Sequence, residues 1–179
     1  MKKLLVVVDY QTDFVTGSLA NPAAQALEPG IAARVRAYLE EGQYVLFTRD
    51  THGEDYLTTR EGRFLPVPHC VRGTPGWHLY GSLAQYEEGP RAKTAVVDKP
   101  VFGSAALPDA VRALCSGEPE HIELCGVVTD ICVISNAVVL HSSFLNAAIS
   151  VQSGLCAAMT PEAHERALDV LAGMGYAVK

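Results

Sequence analysis

Three residues that together could support nucleophilic catalysis each follow an apolar stretch of the chain. Asp9 comes directly after the run Lys3–Val8. Lys99 comes shortly after Thr94–Val97, and Cys132 follows a third apolar stretch. A carboxylate can take the proton of a thiol and later deliver it to a leaving group, while a nearby ammonium and the positive end of a helix dipole favour the thiolate. Taken singly, these are ordinary turn, surface and core residues, so the predicted catalytic set rests on their shared position.

A second group of side chains has the types and the spacing of a metal site. Asp50 and His52 are one residue apart, so in extended chain their side chains point the same way, and His69 follows in the same segment. Carboxylate and imidazole ligands suit Zn, Fe or Mn. Glu61 is a candidate fourth ligand, or a residue that holds a metal-bound water. The alternative is that Asp50 merely ends a strand and that both histidines are ordinary loop residues.

The elements that must position these residues alternate between strand and helix. Short apolar runs and helical spacing predict strands at 3–8, 44–48, 94–97, 121–128, 148–151 and 176–178, and helices at 31–40, 107–114, 129–144 and 161–173. The segment 50–92 is long for a loop, and we expect functional residues in it.

This alternation predicts an α/β fold. We expect a doubly wound, mostly parallel six-stranded sheet with helices on both faces, forming a single domain over residues 1–179. Ligands of such sheets bind beyond the carboxyl ends of the strands, which is where the two groups of polar residues fall. No G-x-G-x-x-G follows the first strand, so the sequence does not support dinucleotide binding.

Composition excludes several classes of function. Of the 179 residues, 49% are hydrophobic and 19% are charged, which is typical of a packed globular protein rather than a disordered one. The net charge is -6 and there is no basic run, so we expect no nucleic acid partner. The apolar stretches are too short or too polar for a signal peptide or a membrane span, so we expect no membrane partner. Five cysteines, an odd number without C-x-x-C spacing, favour free thiols and a cytoplasmic location.

Five motifs resemble those of the isochorismatase-like cysteine hydrolase superfamily, and most closely those of nicotinamidases. They occur in the family's order over most of the chain, as VVVDYQTDF at 6–14, TRDTH at 48–52, PHCVRGTPG at 68–76, DKPVFGS at 98–104 and GVVTDICV at 126–133. Each motif is short, but their combination in this order is specific.

The resemblance implies a role for each matching residue. The family's catalytic aspartate, lysine and cysteine fall on Asp9, Lys99 and Cys132. Its metal ligands fall on Asp50, His52 and His69, and would hold a divalent ion, with Zn as first choice and Fe or Mn as alternatives. A non-proline cis peptide bond is expected at Val127–Val128, where the amides of Val128 and Cys132 would face a developing oxyanion. Phe14 and Phe102 match positions that pack against a pyridine ring.

The activity implied is that of a cysteine amidohydrolase with a small-molecule amide substrate. Its first-choice reaction is the conversion of nicotinamide to nicotinate and ammonia through a thioester, in NAD salvage, by a homo-oligomer. Two departures weaken the substrate assignment: Pro66 stands where nicotinamidases often have an aromatic residue, which Phe64 or Leu65 would replace, and Glu61 lies one residue further from His69 than the acidic ligand of some nicotinamidases.

Three alternatives remain at this point. The nearest is an amidohydrolase of the same superfamily that acts on another small amide. A more remote one is a non-catalytic binding protein of the same fold. The third is a receiver-like signalling module, because Asp9, Asp50 and Lys99–Pro100 resemble the acidic cluster and Lys-Pro of phosphoacceptor domains.

Overall fold

The fold is built on one parallel sheet. A computed structural model describes residues 1–88 and 91–179 of the chain. Its strands, numbered β1 to β6, are Lys3–Val8, Tyr44–Asp50, Thr94–Lys99, His121–Val127, Ala148–Ala157 and Ala177–Val178. They lie in the order β3-β2-β1-β4-β5-β6, and every neighbouring pair is parallel. The predicted doubly wound α/β fold is confirmed, with a sheet that is entirely rather than mostly parallel.

Helices connect the strands in the expected alternation. In chain order, α1 to α7 are Thr12–Val15, Pro22–Gln25, Glu28–Glu40, Arg60–Phe64, Leu107–Cys115, Ile134–Ser143 and Pro161–Gly173. The start of α7 was predictable, because the Thr160 side chain accepts a hydrogen bond from the Ala163 amide and Pro161 occupies the first turn. The predicted long loop holds α4 and three short 3₁₀ segments, at Tyr56–Thr58, Pro75–Trp77 and Gly81–Tyr86.

Three strands extend further than their apolar runs suggest: β2, β3 and also β5, which runs to Ala157 instead of the predicted residue 151. The ladder between β2 and β3 continues through Arg49 opposite Asp98 and Asp50 opposite Lys99. The Arg49 guanidinium bonds the Asp98 carboxylate at 2.8 Å, so a polar pair continues the ladder where hydrophobic periodicity stops. The end of the sheet therefore places Asp50 and Lys99 side by side.

The core is continuous across both faces of the sheet. Every residue of Leu4–Val8 has no exposed surface, including neighbours that point to opposite faces. A strand buried on both faces must be covered on both sides, which explains the unbroken apolar run of β1. No helix in the described part of the chain is both long enough and apolar enough to span a membrane.

The order of the strands also locates the site. The direction of chain progression reverses between β1 and β4, and ligands of such sheets bind in the crevice at this reversal. Asp9 follows β1, and Cys132 lies five residues after the end of β4. Receiver-type domains instead have the order 2-1-3-4-5. The receiver-like alternative is therefore wrong.

Candidate active site

The buried ammonium of Lys99 contacts the other two residues of the predicted catalytic set. The Nζ of Lys99 lies 2.6 Å from Oδ2 of Asp9 and 3.5 Å from Sγ of Cys132. Asp9 and Lys99 have no exposed surface, and Cys132 is 5% exposed. Tertiary structure thus brings together three side chains that are 33 or more residues apart in sequence.

The position of Asp9 depends on contacts with the end of β2. Its backbone is in the left-handed region at φ 47, and its amide donates to the Thr48 carbonyl at 3.1 Å. The Thr48 hydroxyl donates to Oδ1 of Asp9 at 2.6 Å, which leaves Oδ2 for the Lys99 ammonium. The carboxylate is held on both oxygens before any ligand arrives.

Burial sets the direction in which the pKa values of Cys132 and Asp9 shift. It raises the pKa of the Cys132 thiol well above its usual value; the Lys99 charge lowers this pKa, while Asp9 and Asp50 raise it further. Burial also raises the pKa of Asp9, against the opposing charge of Lys99. The Lys99 charge favours the thiolate, as expected, but burial outweighs it in the resting protein. The thiol needs a base, and Asp9 is the carboxylate placed to act as one.

The backbone around Cys132 is not that of an ordinary helix start. Thr129–Val133 forms a π-helical turn, and α6 begins only at Ile134, so the predicted helix 129–144 is two elements. The peptide bond Val127–Val128 is cis, as the resemblance implies. Gly126 has φ 113, and a Cβ there would lie 2.2 Å from the Val8 carbonyl oxygen. Only glycine permits this approach of β4 to β1.

The predicted metal ligands form a compact set at the same edge of the sheet. The Nε2 atoms of His52 and His69 lie 3.0 Å and 3.2 Å from Oδ2 of Asp50, and the three ligand atoms all lie within 4.8 Å of one another. The Nδ1 of His69 bonds the Val67 carbonyl at 2.8 Å, which directs Nε2 into the set. Burial raises the pKa of Asp50, but hydrogen bonds from both histidines and the Lys99 charge outweigh it and hold this pKa well below its usual range. Two imidazoles and an ionised carboxylate fit a divalent transition metal.

Glu61 does not join this compact set. It lines the same cavity, and its Oε1 is buried without a hydrogen-bond partner among the described residues. Burial raises its pKa, and the Asp50 charge raises it further. Its predicted role as a fourth ligand stays a prediction.

Two polar residues, Gln11 and Asp13, bond the backbone at or next to the predicted metal ligands. Neither of them was identified from the sequence. The Gln11 side chain accepts from the Asp50 amide at 2.7 Å and donates to the Asp50 and Trp77 carbonyls at 2.9 Å and 2.7 Å. Asp13 accepts from the Cys70 amide at 2.7 Å, next to His69. Their position in the motif VVVDYQTDF, directly after an apolar strand, could have identified them as candidates.

An apolar cavity of about 200 Å³ opens above these groups. Asp50, His69 and Cys132 line it together with Phe14 and Phe102, the two aromatics predicted to bind substrate. Its remaining lining is mostly apolar, and comprises Leu19, Tyr56, Glu61, Phe64, Leu65, Val128, Ile131 and Met159. Pro66 is exposed and does not line the cavity, whereas Phe64 and Leu65 do, as the alternative suggested.

The doubly wound α/β fold places a buried carboxylate, ammonium and thiol beside an apolar cavity, an arrangement that suits nucleophilic catalysis on a small molecule. The family model described as the Isochorismatase domain matches residues 3–178. The chain therefore belongs to the isochorismatase family.

Three solved structures indicate its relatives. The structure of nicotinamidase/pyrazinamidase PncA from Bacillus subtilis is 30% identical, with a TM-score of 0.87 and coverage of 99% of each chain. The pyrazinamidase of Pyrococcus horikoshii in complex with zinc is 25% identical, with a TM-score of 0.81 over 100% of this chain and 99% of that one. N-carbamoylsarcosine amidase from Thermoplasma acidophilum is also 25% identical, with a TM-score of 0.78 over 100% and 96%. The chain is accordingly a hydrolase that acts on amide C–N bonds.

Proposed function

We propose that the protein is a metal-containing cysteine amidohydrolase that converts nicotinamide to nicotinate and ammonia. The observation that carries the proposal is the position of Lys99, whose ammonium contacts both the Asp9 carboxylate and the Cys132 sulfur beside an apolar cavity. The nicotinamidase relative supports the choice of substrate.

The reaction begins with activation of a protonated thiol. Asp9 accepts the proton of Cys132, and Lys99 stabilises the charge that forms on sulfur. The sulfur attacks the carboxamide carbon, the C–S bond forms, and the carbonyl electrons move onto oxygen. The amides of Val128 and Cys132 stabilise this oxyanion. When the oxyanion collapses the C–N bond breaks, and Asp9 returns its proton to the departing nitrogen, which leaves as ammonia.

Hydrolysis of the thioester completes the cycle. Asp9, now ionised again, takes a proton from water as the water oxygen attacks the thioester carbon. The C–S bond breaks, the proton passes to Cys132, and nicotinate leaves. One water is consumed and one ammonia is released, so the enzyme returns to its starting protonation state.

The cavity suits a flat, uncharged substrate. Phe14 and Phe102 would pack against the pyridine ring and hold the carboxamide within reach of Cys132. Asp50, His52 and His69 would hold the divalent ion, for which we propose zinc because a similar pyrazinamidase binds it. When bound, the ion supplies a Lewis-acid contact for the ring nitrogen or for ordered water.

A second candidate is hydrolysis of a different small amide or ureido compound. The similarity to N-carbamoylsarcosine amidase favours it, because the same three residues could perform that reaction. The cavity argues against an anionic substrate, since its described lining contains no arginine or lysine to receive a carboxylate. We therefore place neutral aromatic amides first.

The proposal is tested by ammonia release across a panel of carboxamides, with and without added zinc. The panel contains nicotinamide, pyrazinamide, benzamide and a ureido acid, and Cys132→Ala serves as the inactive control. Turnover of the two heteroaromatic amides is the expected result. Turnover confined to non-aromatic amides would move the chain to the second candidate, and no turnover of nicotinamide with or without zinc would contradict the proposal.

We also propose that the enzyme works in the cytoplasm, in NAD salvage, as a homo-oligomer. Five buried free cysteines are compatible with a reducing compartment. Light scattering of the purified protein tests the oligomer, and a monomer at micromolar concentration would contradict it.

A further inference from the structure

Asn136 is a fully buried polar residue in the first turn of α6. Its Nδ2 donates to the Cys132 carbonyl at 2.8 Å and to the Phe102 carbonyl at 3.0 Å. Its Oδ1 accepts from the Ser104 amide at 3.0 Å. Both amide protons and the oxygen of one side chain are therefore used, and they join the nucleophile to the segment that carries Phe102.

This segment, residues 101–104, lies directly on α6 and is called here the wall segment. A Cβ on Gly103 would lie 3.3 Å from both the Cβ and the carbonyl oxygen of Ser135. The two wall-segment bonds of Asn136 fall on the residues either side of Gly103. Close contact and hydrogen bonding thus hold the same few residues against the helix.

We propose that Asn136 is the positioning residue that fixes Phe102 relative to the sulfur of Cys132. Lys99 holds the near end of the wall segment, because its Nζ donates to the Val101 carbonyl at 3.2 Å. Asn136 holds the remainder of the wall segment through Phe102 and Ser104. The buried amide of Asn136 consequently connects the aromatic wall of the cavity directly to the backbone of the nucleophile.

The cost of losing this amide follows from its burial. The carbonyls of Phe102 and Cys132 and the amide of Ser104 would lose their side-chain partner in the protein interior, where an unmade hydrogen bond is costly. The wall segment would then shift toward solvent, since Phe102 is already 39% exposed. Asn136 does not line the cavity, so its effect on a ligand must pass through Phe102 and Cys132.

Two substitutions distinguish the bond of Asn136 to Cys132 from its bonds to the wall segment. In Asn136→Ser the hydroxyl can still donate to the carbonyl four residues earlier, as Ser142 and Ser143 do on the same helix at 2.9 Å and 2.8 Å. It is too short to reach the wall segment. Asn136→Leu removes all three bonds. Ser143→Ala is the matched control, because it removes a half-buried helix side chain remote from the site.

The first measurement needs no assumption about the substrate. The rate of alkylation at Cys132 is followed by mass spectrometry with iodoacetamide and with its N-phenyl derivative, whose ring must enter the cavity. Asn136→Ser should react with iodoacetamide within about twofold of the native rate, but should lose about tenfold in its rate with the aryl reagent. Asn136→Leu should slow both reactions, and Ser143→Ala neither.

The second measurement rests on the proposed function. With nicotinamide, Asn136→Ser should raise KM about tenfold while kcat changes less than about threefold, because the lost interaction is with the ring. Equal alkylation of Asn136→Ser and Ser143→Ala by the aryl reagent would overturn the positioning role, as would equal slowing of both reagents. Selective loss of the aryl reaction in a protein that hydrolyses no amide would support the positioning role and overturn the proposed activity.

Discussion

The Nζ of Lys99 lies 2.6 Å from Oδ2 of Asp9, and neither side chain has any exposed surface. Burial lowers the pKa of Lys99, but the charges of Asp9, Cys132 and Asp50 outweigh it and raise this pKa well above its usual value. The ammonium is thus a fixed positive charge at neutral pH. Its charge lowers the pKa of Asp9 against the burial that raises it, which favours the carboxylate as a base toward the thiol 3.5 Å from Lys99.

Removal of the nucleophile should abolish turnover without unfolding the protein. Cys132→Ala should lower kcat by about 10⁴-fold or more, because no other group can form the thioester. Steady-state ammonia release measures this loss, and circular dichroism checks the fold. Cys156→Ala, which changes another buried thiol, should keep most of the activity. Substantial ammonia release by a well-folded Cys132→Ala protein would rule out covalent catalysis by this residue.

Loss of the Lys99 charge should make Cys132 less reactive. In Lys99→Ala, burial and the Asp9 and Asp50 charges act on the thiol unopposed, so its pKa should rise further. The rate of iodoacetamide alkylation at Cys132 should fall by about tenfold or more at neutral pH. Lys99→Met, which keeps most of the side-chain volume, should behave in the same way. Equal alkylation rates in the native and variant proteins would remove Lys99 from this role.

Removal of the metal should discriminate between two otherwise similar substrates. If the ion receives the pyridine nitrogen, it contacts a part of the substrate remote from the scissile bond and contributes similarly to ground state and transition state. Chelation should then raise KM for nicotinamide by about tenfold or more, with a much smaller effect on benzamide. The fold should survive, because Asp50 stays in the ladder between β2 and β3, and His52 and His69 lie beyond the sheet. Equal metal dependence for both amides, or no metal in elemental analysis, would count against the assignment.

Gln11 should control metal affinity through the backbone of Asp50. Gln11→Leu removes the bonds to both backbone groups of this ligand, and should weaken zinc binding by about tenfold or more. Competition with a chromophoric chelator measures the affinity independently of activity. Gln25→Leu is the control, because the side chain of the exposed Gln25 bonds only the Val15 carbonyl in the described structure. Unchanged affinity in Gln11→Leu would show that Asp50 keeps its position without this support.

The ion pair between Arg34 and Glu123 should make stability depend on pH. Two bonds of 2.6 Å and 2.8 Å join Arg34 to the fully buried Glu123. Burial raises the pKa of Glu123, but the bonds from Arg34 and Gln152 outweigh it, and the pKa is lowered from 4.5. A lowered folded-state pKa stabilises the protein above the unfolded value, and this contribution is lost as the pH falls below it.

Arg34→Met should therefore lower the free energy of unfolding by about 2 kcal/mol at pH 7, less than for a fully buried pair because Arg34 is partly exposed. The difference from the native protein should shrink as the pH falls, because burial raises the pKa of Glu123 once the Arg34 bonds are lost and Glu123 then takes up a proton more readily in the variant. Urea denaturation at several pH values measures both effects. Arg36→Met, on the exposed face of the same helix, should change stability by less than about 0.5 kcal/mol. A difference that is constant with pH would contradict the assignment to Glu123.

The sequence by itself determined the fold class and the identity of the residues at the site. The unbroken apolar run at β1 reports burial on both faces, and alternation of strand and helix implies a parallel sheet whose strand ends share one edge. Asp9, Lys99 and Cys132, and the set of Asp50, His52 and His69, follow from that rule and from the family motifs. These features are local or repeat along the chain, so they are visible without coordinates.

Tertiary structure alone decided how those residues behave. The pKa of the Cys132 thiol depends on burial and on charges from three other segments, and its shift is opposite to the one that a helix dipole alone suggests. Gln11 and Asn136 show the same limit, because a buried amide is informative only once its partners are known, and those partners lie on distant parts of the chain. Glu61 was equally visible in sequence, yet the fold leaves it outside the compact ligand set. Periodicity records which positions are buried, whereas a pKa or a hydrogen bond depends on which remote groups are brought within a few ångströms.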